Sequence, residues 1–467
     1  MKQKDSKPNI YFSSSLRIAA VSLLLYGCGL QAPTEYLEIR SPGTWASASS
    51  GTEGQISTGW LNEFSDSRLK KNVYLALENN RSLKVAAARL REAKQDTIIT
   101  RAGRLPSANL GADGRISDGS DIARVQSYSA TLGASWEPDL WGRLRDLTQA
   151  AEADERVAVE DFRAARLSLA VSAARAYTNL VSAQQEVALA EFTLNSFRKN
   201  LQIVERTYKA TGEGALDVQF ARTNVSSTER SLEARILDRD DAARTLEVLQ
   251  GQYPVGLVRG NTELPDLPER VPAGIPADLV ERRSDLAAAR ASLFASAKRA
   301  DAARKSLLPD FSLTGSSGAT SGRFSELLDI DLLVSRITGS VDQVLFDGGA
   351  TEANARANLE ANNRFINQYA QLALEAFQEV EATLAADTSL ARQEEFLEQE
   401  VEAAVLAENQ AERDYAEGIN TNILSVLEAQ RRANNARAGI IRLRNQRLQN
   451  RFDLHLALGG DYKTAAK

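Results

Sequence analysis

The chain has 467 residues, among them one cysteine, one histidine and one methionine. Structural zinc usually takes four Cys or His ligands and catalytic zinc about three, so this composition excludes most metal chemistry and disfavours a cysteine–histidine nucleophile pair. The formal net charge of −6 disfavours nucleic acid as a partner, because nucleic-acid binding needs a basic surface. We therefore expect no cofactor, no metal and no nucleic acid.

The N-terminal residues have the pattern of an export signal. Basic residues precede an apolar run at 18–25, which is the size of a signal-peptide core and too short to span a bilayer as a helix. The run leads to Gly27-Cys28, which resembles a bacterial lipobox. The resemblance implies removal of 1–27 as a signal peptide, acylation of the Cys28 sulfur and transfer to the outer membrane. The alternative is an unmodified cysteine in an ordinary cleaved signal peptide.

The sequence contains one unit twice, because landmarks recur in the same order at a displacement of about 205 residues. The paired landmarks are Leu105-Pro106 with Leu308-Pro309, Leu140-Trp141-Gly142 with Leu345-Phe346-Asp347-Gly348, and Leu216-Asp217-Val218 with Leu424-Ser425-Val426. We predict an N-terminal lipidated linker at 28–61, a first repeat at 62–253 and a proline-rich linker at 254–276. A second repeat follows at 277–460, with a C-terminal tail at 461–467.

Each repeat is predicted to contain a helix, two strands, a very long helix, a short turn and a further helix. Residues 144–208 and 352–415 contain neither Gly nor Pro, and at about 1.5 Å per residue each helix would be about 95–100 Å long. Apolar residues recur in heptads along both, which is typical of helices packed as coiled coils. In the second repeat Glu394 and Glu408 interrupt one heptad track, so we expect a partly polar seam there.

Segments at about 107–117, 126–137, 310–318 and 334–346 alternate apolar or small residues with polar ones. Such alternation over about ten residues is typical of transmembrane barrel strands, and soluble hairpins with one solvated face are the alternative. Three aromatic residues lie where strand passes to helix: Trp136, Trp141 and Phe346. They fit an interfacial aromatic girdle or a packing role equally well.

Four strands cannot close a barrel, since the smallest known barrels need about eight. Unpaired edge groups cost several kcal/mol each in hydrocarbon, so several chains must pool their strands. Three chains would provide twelve strands, with the polar faces lining water. The predicted fold class is therefore mainly α with transmembrane β, in which several copies share one barrel. A trimeric assembly would give a 12-stranded outer-membrane β-barrel, and the long helices would continue its wall as a periplasmic α-helical barrel.

These features together resemble the TolC family of outer-membrane efflux channels, in its OprM/NodT-like lipoprotein branch. The resemblance covers nearly all of the mature chain. It rests on the lipobox, the duplicated unit, the segment Leu345-Phe346-Asp347-Gly348-Gly349, and Pro272-x-Gly274-x-Pro276 followed by Arg282-Arg283-Ser284-Asp285. Ser284 stands where the family signature has proline.

The resemblance implies a homotrimer with a twelve-helix periplasmic wall, set in outer-membrane lipid. Such a trimer docks to a periplasmic membrane-fusion (adaptor) protein and an inner-membrane resistance-nodulation-division pump, and it passes small molecules such as drugs to the outside. Type I protein secretion uses an outer component of the same build and is the alternative function. A periplasmic coiled-coil structural lipoprotein is an alternative of another class, which explains the heptads but not the duplicated hairpins.

An enzyme is disfavoured by the placement of the ionisable residues. Glu394-Glu395 fall on a long helix without a pocket-forming context, and His455 has no nucleophile motif nearby and reads as a packed histidine.

The turns after Tyr208 and Tyr415 are the ends farthest from the strands, which in the resembled family form a periplasmic entrance opened by untwisting of the helix tips. The residues that carry over by motif are Asp217 and Glu428 as acidic gate residues, Tyr208 and Tyr415 as tyrosines near the constriction, and Gly212 and Gly418 as turn glycines at the adaptor-contacting tips.

The acidic candidates have simpler interpretations as well. Asp217 begins a helix and could act as its N-cap, and Glu428 could be part of an exposed helix face. A ring of three like charges would instead make a narrow entrance favour cations. No basic residue at 419–423 matches the arginine that some family members use to link their tips.

Overall fold

The computed structural model describes residues 43–47, 59–119, 122–268, 271, 273–274, 276–327, 329–419 and 422–460. The predicted signal peptide at 1–27, the acylation site Cys28 and the tail at 461–467 lie outside these residues. The chain divides into two compact units. One contains Arg91–Val157 and Ala289–Tyr369, and the other contains Ile39–Leu90, Ala158–Ala288 and Ala370–Lys467.

The two halves of the chain contain the same elements in the same order, as the repeated landmarks predict. The first half comprises α1 (Ser67–Asn79), α2 (Arg81–Ala102), β1 (Ser107–Gly119), β2 (Ile122–Trp136), α3 (Arg143–Thr211) and α4 (Ala215–Leu249). The second half comprises α5 (Pro276–Arg282), α6 (Ser284–Lys305), β3 (Asp310–Ser321), β4 (Val334–Asp342), α7 (Ala350–Ala416) and α8 (Ile423–Ala457).

The long helices α3 and α7 have 69 and 67 residues. They propagate because no Gly or Pro interrupts the backbone hydrogen bonds between residues four apart. Heptad positions such as Leu180, Val187 and Leu194 are buried, so the coiled-coil pattern marks the packed face of α3. Within the described ranges, no helix combines the length and the apolar character needed to cross a bilayer.

The four strands form one antiparallel sheet in the order β1-β2-β3-β4. Leu110 lies opposite Leu132, and Phe311 lies opposite Val341, so apolar side chains from all four strands share one face. Polar side chains line the other face, where Ser129 Oγ donates to Asp113 Oδ1 at 2.5 Å. The period-two alternation in the sequence therefore gives a sheet with one apolar and one polar face.

The strand ends differ from the sequence prediction. Strand β2 already begins at Ile122, whereas β4 ends at Asp342 and does not reach 346. Asp342 pairs with Asp310, which is the first residue of β3. Among the described residues, no neighbouring strand lies beside 343–346.

Two of the three aromatic residues at the strand–helix junctions are held by backbone carbonyls. Trp136 Nε1 donates to the carbonyl of Arg104 at 3.0 Å, and Trp141 Nε1 donates to that of Pro309 at 2.7 Å. These bonds favour the packing role for both indoles within the chain. The Phe346 side chain is exposed.

The second unit has an aromatic core. The rings of Trp60, Phe64 and Phe452 pack with centroids 5.2–6.2 Å apart, and His455 stacks on Trp60 at 5.5 Å. Burial, together with the nearby charge of Arg451, lowers the pKa of His455 to about 3. His455 is thus a neutral packing residue at physiological pH.

A buried carboxylate fixes the start of the segment that joins the repeats. Glu247, near the end of α4, accepts the backbone N–H groups of Gly256, Leu257 and Val258 at 2.7, 2.8 and 3.0 Å. Burial would by itself raise the pKa of Glu247, but these donors bring it below the ordinary value. Its stabilising contribution is therefore complete above the ordinary glutamate pKa and is lost as the pH falls through the lowered value in the folded state.

Glu247→Gln places an amide NH2 group against these N–H donors. We expect the free energy of unfolding at neutral pH to fall by about 1–3 kcal/mol, measured as a lower midpoint of thermal unfolding in detergent. The difference from wild type should shrink as the pH falls below 4.5. Glu233→Gln, at an exposed position of the same helix, is the matched control. An unchanged midpoint for Glu247→Gln at neutral pH contradicts this role.

Candidate functional site at the helix tips

Two tight turns join the long helices to their partners. In the turn between α3 and α4, Gly212 has φ +78° and Gly214 has φ +87°. In the turn between α7 and α8, Gly418 has φ +71°, and residues 420–421 lie outside the described range. The space beside Gly212 and Gly418 is open, so the left-handed backbone conformation, and not crowding, requires glycine at both positions.

A small apolar cluster lies next to these turns, and we call it the tip cluster. Its buried members are Val204 from α3, Val218 from α4, and Ile423 and Val426 from α8, with Ala411, Tyr415 and Leu427 packed against them. Side chains from all four helices of the second unit's two helical hairpins therefore meet here. The tip cluster holds the two hairpins together at their turns.

Asp217 is not an N-cap, which corrects one of the two sequence interpretations. Gly214 occupies the N-cap position of α4, and Asp217 lies within the first turn of the helix, where a carboxylate is favoured by the helix dipole. Burial and the Asp217 carboxylate both raise the pKa of Tyr415. Asp217 is the neighbour in sequence of Val218, a member of the tip cluster that Tyr415 packs against, whereas the Tyr208 side chain is exposed.

Glu428 lies on a partly exposed side of α8, which is close to its simpler sequence interpretation. Its carboxylate accepts from Arg431 Nη2 at 2.8 Å and from Arg432 Nε at 2.8 Å, both on the same helix. These hydrogen bonds lower the pKa of Glu428 to about 2, and the bond from Arg431 has the larger effect. In the described part of the chain, no hydrogen bond or ion pair joins Glu428 to Asp217.

Charged pairs across each helical hairpin are functional candidates that the sequence reasoning missed. Between α3 and α4, Arg222 Nη2 lies 2.9 Å from Glu205 Oε1, and Arg198 Nη2 lies 2.7 Å from Glu229 Oε1. Both pairs are largely exposed, so each contributes at most about 1 kcal/mol. These pairs therefore add little to the stability of the hairpin, and their main effect is on the register between α3 and α4.

The corresponding pairs between α7 and α8 explain the interrupted heptad track. Buried Glu408 lies 2.7 Å from Arg437, and Glu394 pairs with Arg444 and Arg447. The two glutamates that break the apolar pattern are thus the acidic halves of cross-helix pairs. Arginines at 437, 444 and 447 on α8 were the available signal in the sequence.

No group of three or more His, Cys, Asp or Glu side chains arranged to hold a metal ion occurs among the described residues. The tips offer charged pairs, tyrosines and an apolar cluster, and such groups can hold helices in one arrangement or release them. An open sheet with one polar face, together with long helical hairpins, defines a class of protein: a subunit of a channel wall.

The chain belongs to the outer membrane efflux protein family, whose family model matches residues 72–252 and 275–460. Its fold is that of the TolC-like channels. It is an outer membrane efflux channel protein, as the sequence resemblance predicts.

Relatives match along almost their whole length. The chain is 28% identical over 462 residues to the pyoverdine export outer membrane protein OpmQ of Pseudomonas putida, covering 96% of this chain and 97% of that protein. It is 29% identical over 454 residues to the outer membrane protein OprJ of Pseudomonas aeruginosa, covering 95% of each. Among solved structures, the open state of the Neisseria gonorrhoeae MtrE outer membrane channel superposes with a TM-score of 0.81 at 26% identity, covering 94% of this chain and 99% of that one.

Ile423→Ala should loosen the tip. The Ile423 side chain is 2% exposed in the tip cluster, and truncation of such a residue typically costs about 2–5 kcal/mol. We expect faster amide hydrogen exchange in the first turns of α8 and α4, with little change in the sheet. Ile419→Ala, in the neighbouring turn and 72% exposed, is the control and should leave exchange unchanged. Equal exchange in both variants would show that the tip cluster does not hold the hairpins.

Proposed function

We propose that three copies of this chain form the exit duct of a tripartite efflux system. Three four-stranded sheets would close into a twelve-stranded outer-membrane barrel, and the long helices would continue its wall into the periplasm. The duct would receive small molecules from a periplasmic adaptor and an inner-membrane pump, with the turns at Gly212 and Gly418 facing the adaptor.

The observation that carries this proposal is the open amphipathic sheet. In the described part of the chain, strands β1 and β4 each pair with a single neighbouring strand, so two edges of unpaired N–H and C=O groups are left. Each such group costs several kcal/mol in hydrocarbon, and a closed barrel removes the edges altogether. Pairing β4 of one copy with β1 of the next satisfies both edges.

The two faces of the sheet supply the solvent preferences of such a barrel. Leu110, Ile337 and Val341 are exposed on the apolar face and would contact lipid. Asp113 and Ser129 on the opposite face would contact water in the lumen. Transmembrane barrels alternate their residues in this way.

Neighbouring residues of β4 test this assignment directly. Ile337→Arg puts a charge on the face assigned to lipid, at a cost of about 2–4 kcal/mol near the bilayer midplane. We expect fewer heat-modifiable trimers in outer-membrane extracts. Thr338→Arg, on the opposite face, should assemble normally and change the ion preference of the channel. Normal assembly of both variants would contradict the assignment of faces.

We also propose that the tip region is the gate of the duct. Asp217, Glu428, Tyr208 and Tyr415 are its candidate residues, and opening would separate the helical hairpins near the tip cluster. Asp217 precedes Val218 of the tip cluster, against which Tyr415 packs, and its carboxylate helps to raise the pKa of Tyr415, which supports a role for both in the closed arrangement. Glu428 is paired with two arginines, so the net local charge there is positive and would not attract cations. Asp217 is therefore the stronger candidate for cation preference.

Asp217→Ala should raise the single-channel conductance of the reconstituted protein and lower its preference for cations. Glu428→Ala should also raise conductance, and it should shift the preference toward anions because Arg431 and Arg432 lose their partner. Glu233→Ala, on an exposed face of α4, is the charge-matched control. Wild-type conductance and ion preference in both tip variants would exclude this gate.

We propose further that Cys28 is acylated and anchors the N-terminus in outer-membrane lipid. The support is the lipobox-like sequence Gly27-Cys28 behind an apolar run. Labelled palmitate should be incorporated into wild type and not into Cys28→Ser. Equal labelling of the two would contradict the proposal.

A further inference from the structure

One chain already contains a junction between repeats. Strand β2 of the first repeat pairs with β3 of the second, and the turn that follows β2 contacts the start of β3. Trp141 Nε1 donates to the carbonyl of Pro309 at 2.7 Å, and its ring lies 6.2 Å from that of Phe311. Trp141, in the turn that follows the second strand of the first repeat, thus packs against and bonds to the start of the first strand of the second repeat.

The equivalent turn of the second repeat has no such partner among the residues that the structure describes. Leu345-Phe346 corresponds to Leu140-Trp141 in the repeat pattern, yet Leu345 and Phe346 are 89% and 90% exposed. The segment that corresponds to Leu308-Pro309 is Leu105-Pro106, and Leu105 is 64% exposed. The two halves of one repeat–repeat junction are therefore left open at opposite edges of the sheet.

We propose that the Leu345–Phe346 turn of one copy packs against the Leu105-Pro106 segment and the start of β1 in a second copy of this chain. The proposal rests on the trimer proposed above and adds a specific contact to it. The Phe346 ring takes the place of Trp141, the second copy's Pro106 that of Pro309, and the second copy's Ala108 that of Phe311.

Strand direction supports this pairing. Each neighbouring pair in the sheet is antiparallel, so β4 and β1 run in opposite directions. The end of β4 at Asp342 and the start of β1 at Ser107 therefore lie at the same end of the sheet. When β4 pairs with β1 of a second copy, residues 343–346 come next to the residues that precede that β1.

The chemistry of the two sides is complementary. Phe346 has no polar atom in its side chain and Leu345 is aliphatic, so removing both from water is favourable, and Leu105 and Ala108 offer an apolar surface. Phenylalanine lacks the indole N–H that Trp141 uses, which leaves the carbonyl of the second copy's Pro106 available to a new donor. The competing environment for the Phe346 side chain is membrane lipid. Cross-linking between copies distinguishes a second copy of the chain from lipid.

The experiment uses detergent-extracted full-length protein with Phe346→Cys and Leu105→Cys combined, treated with a short bifunctional maleimide. We expect covalent dimers and trimers on denaturing gels. Either single variant, and the pair Phe346→Cys with Ile116→Cys at the far end of β1, should remain monomeric on those gels. Native mass in detergent, measured on the same samples, reports the trimer independently of the cross-link.

The outcomes distinguish the two levels of the proposal. Trimers that fail to cross-link through positions 346 and 105 overturn the contact and leave the trimer standing, whereas a monomeric native mass overturns the trimer itself.

Variants at Phe346 supply a second measurement. Phe346→Ser should lower the temperature at which the trimer dissociates, and Phe346→Trp should raise it by restoring the donor that Trp141 uses. Phe324→Ser, at another exposed phenylalanine of the same unit, is the control and should leave that temperature unchanged. If all of these variants dissociate at the wild-type temperature, Phe346 contributes nothing between copies and the proposal is wrong.

Discussion

The constraint on which the rest of this structure depends is the cost of an unpaired backbone edge away from water. A four-stranded sheet satisfies its inner N–H and C=O groups and leaves two rows of such groups at β1 and β4. The apolar residues on one face direct that sheet toward lipid, where water cannot pair with those groups. The duplicated sequence, the sheet order and the exposed apolar face all become consistent once other copies supply the missing strands.

The helical hairpins meet a different requirement, because the proposed gate needs them to pack firmly and still to separate. Apolar heptad positions bury residues such as Leu180 and Val187, whereas cross-helix pairs such as Arg437 with Glu408 add direction and register. At the tips the apolar contact is small, and four buried residues form its centre. A cluster of that size can hold the hairpins in one arrangement without making their separation costly.

Duplication also links the interior of one chain to the surface between chains. The junction of β2 and β3, closed by Trp141 and Pro309, is a contact between two repeats that happen to be covalently connected. A sheet that continues across copies repeats this junction at every boundary. In the boundary that we propose between copies, Phe346 would keep the apolar ring of Trp141 and lack its indole N–H donor.

The sequence by itself determined the elements and their order, because heptads, alternation and uninterrupted helical stretches depend on residues close in the chain. It also predicted the family, the turn glycines Gly212 and Gly418, and the polar seam at Glu394 and Glu408. Only the tertiary structure decided that Gly214 and not Asp217 caps α4, and that Glu428 pairs with arginines of its own helix. It also decided that the last residue of β4 lies opposite the first residue of β3. These outcomes depend on the distance between side chains and on which strand lies alongside, and local sequence periodicity does not contain that information.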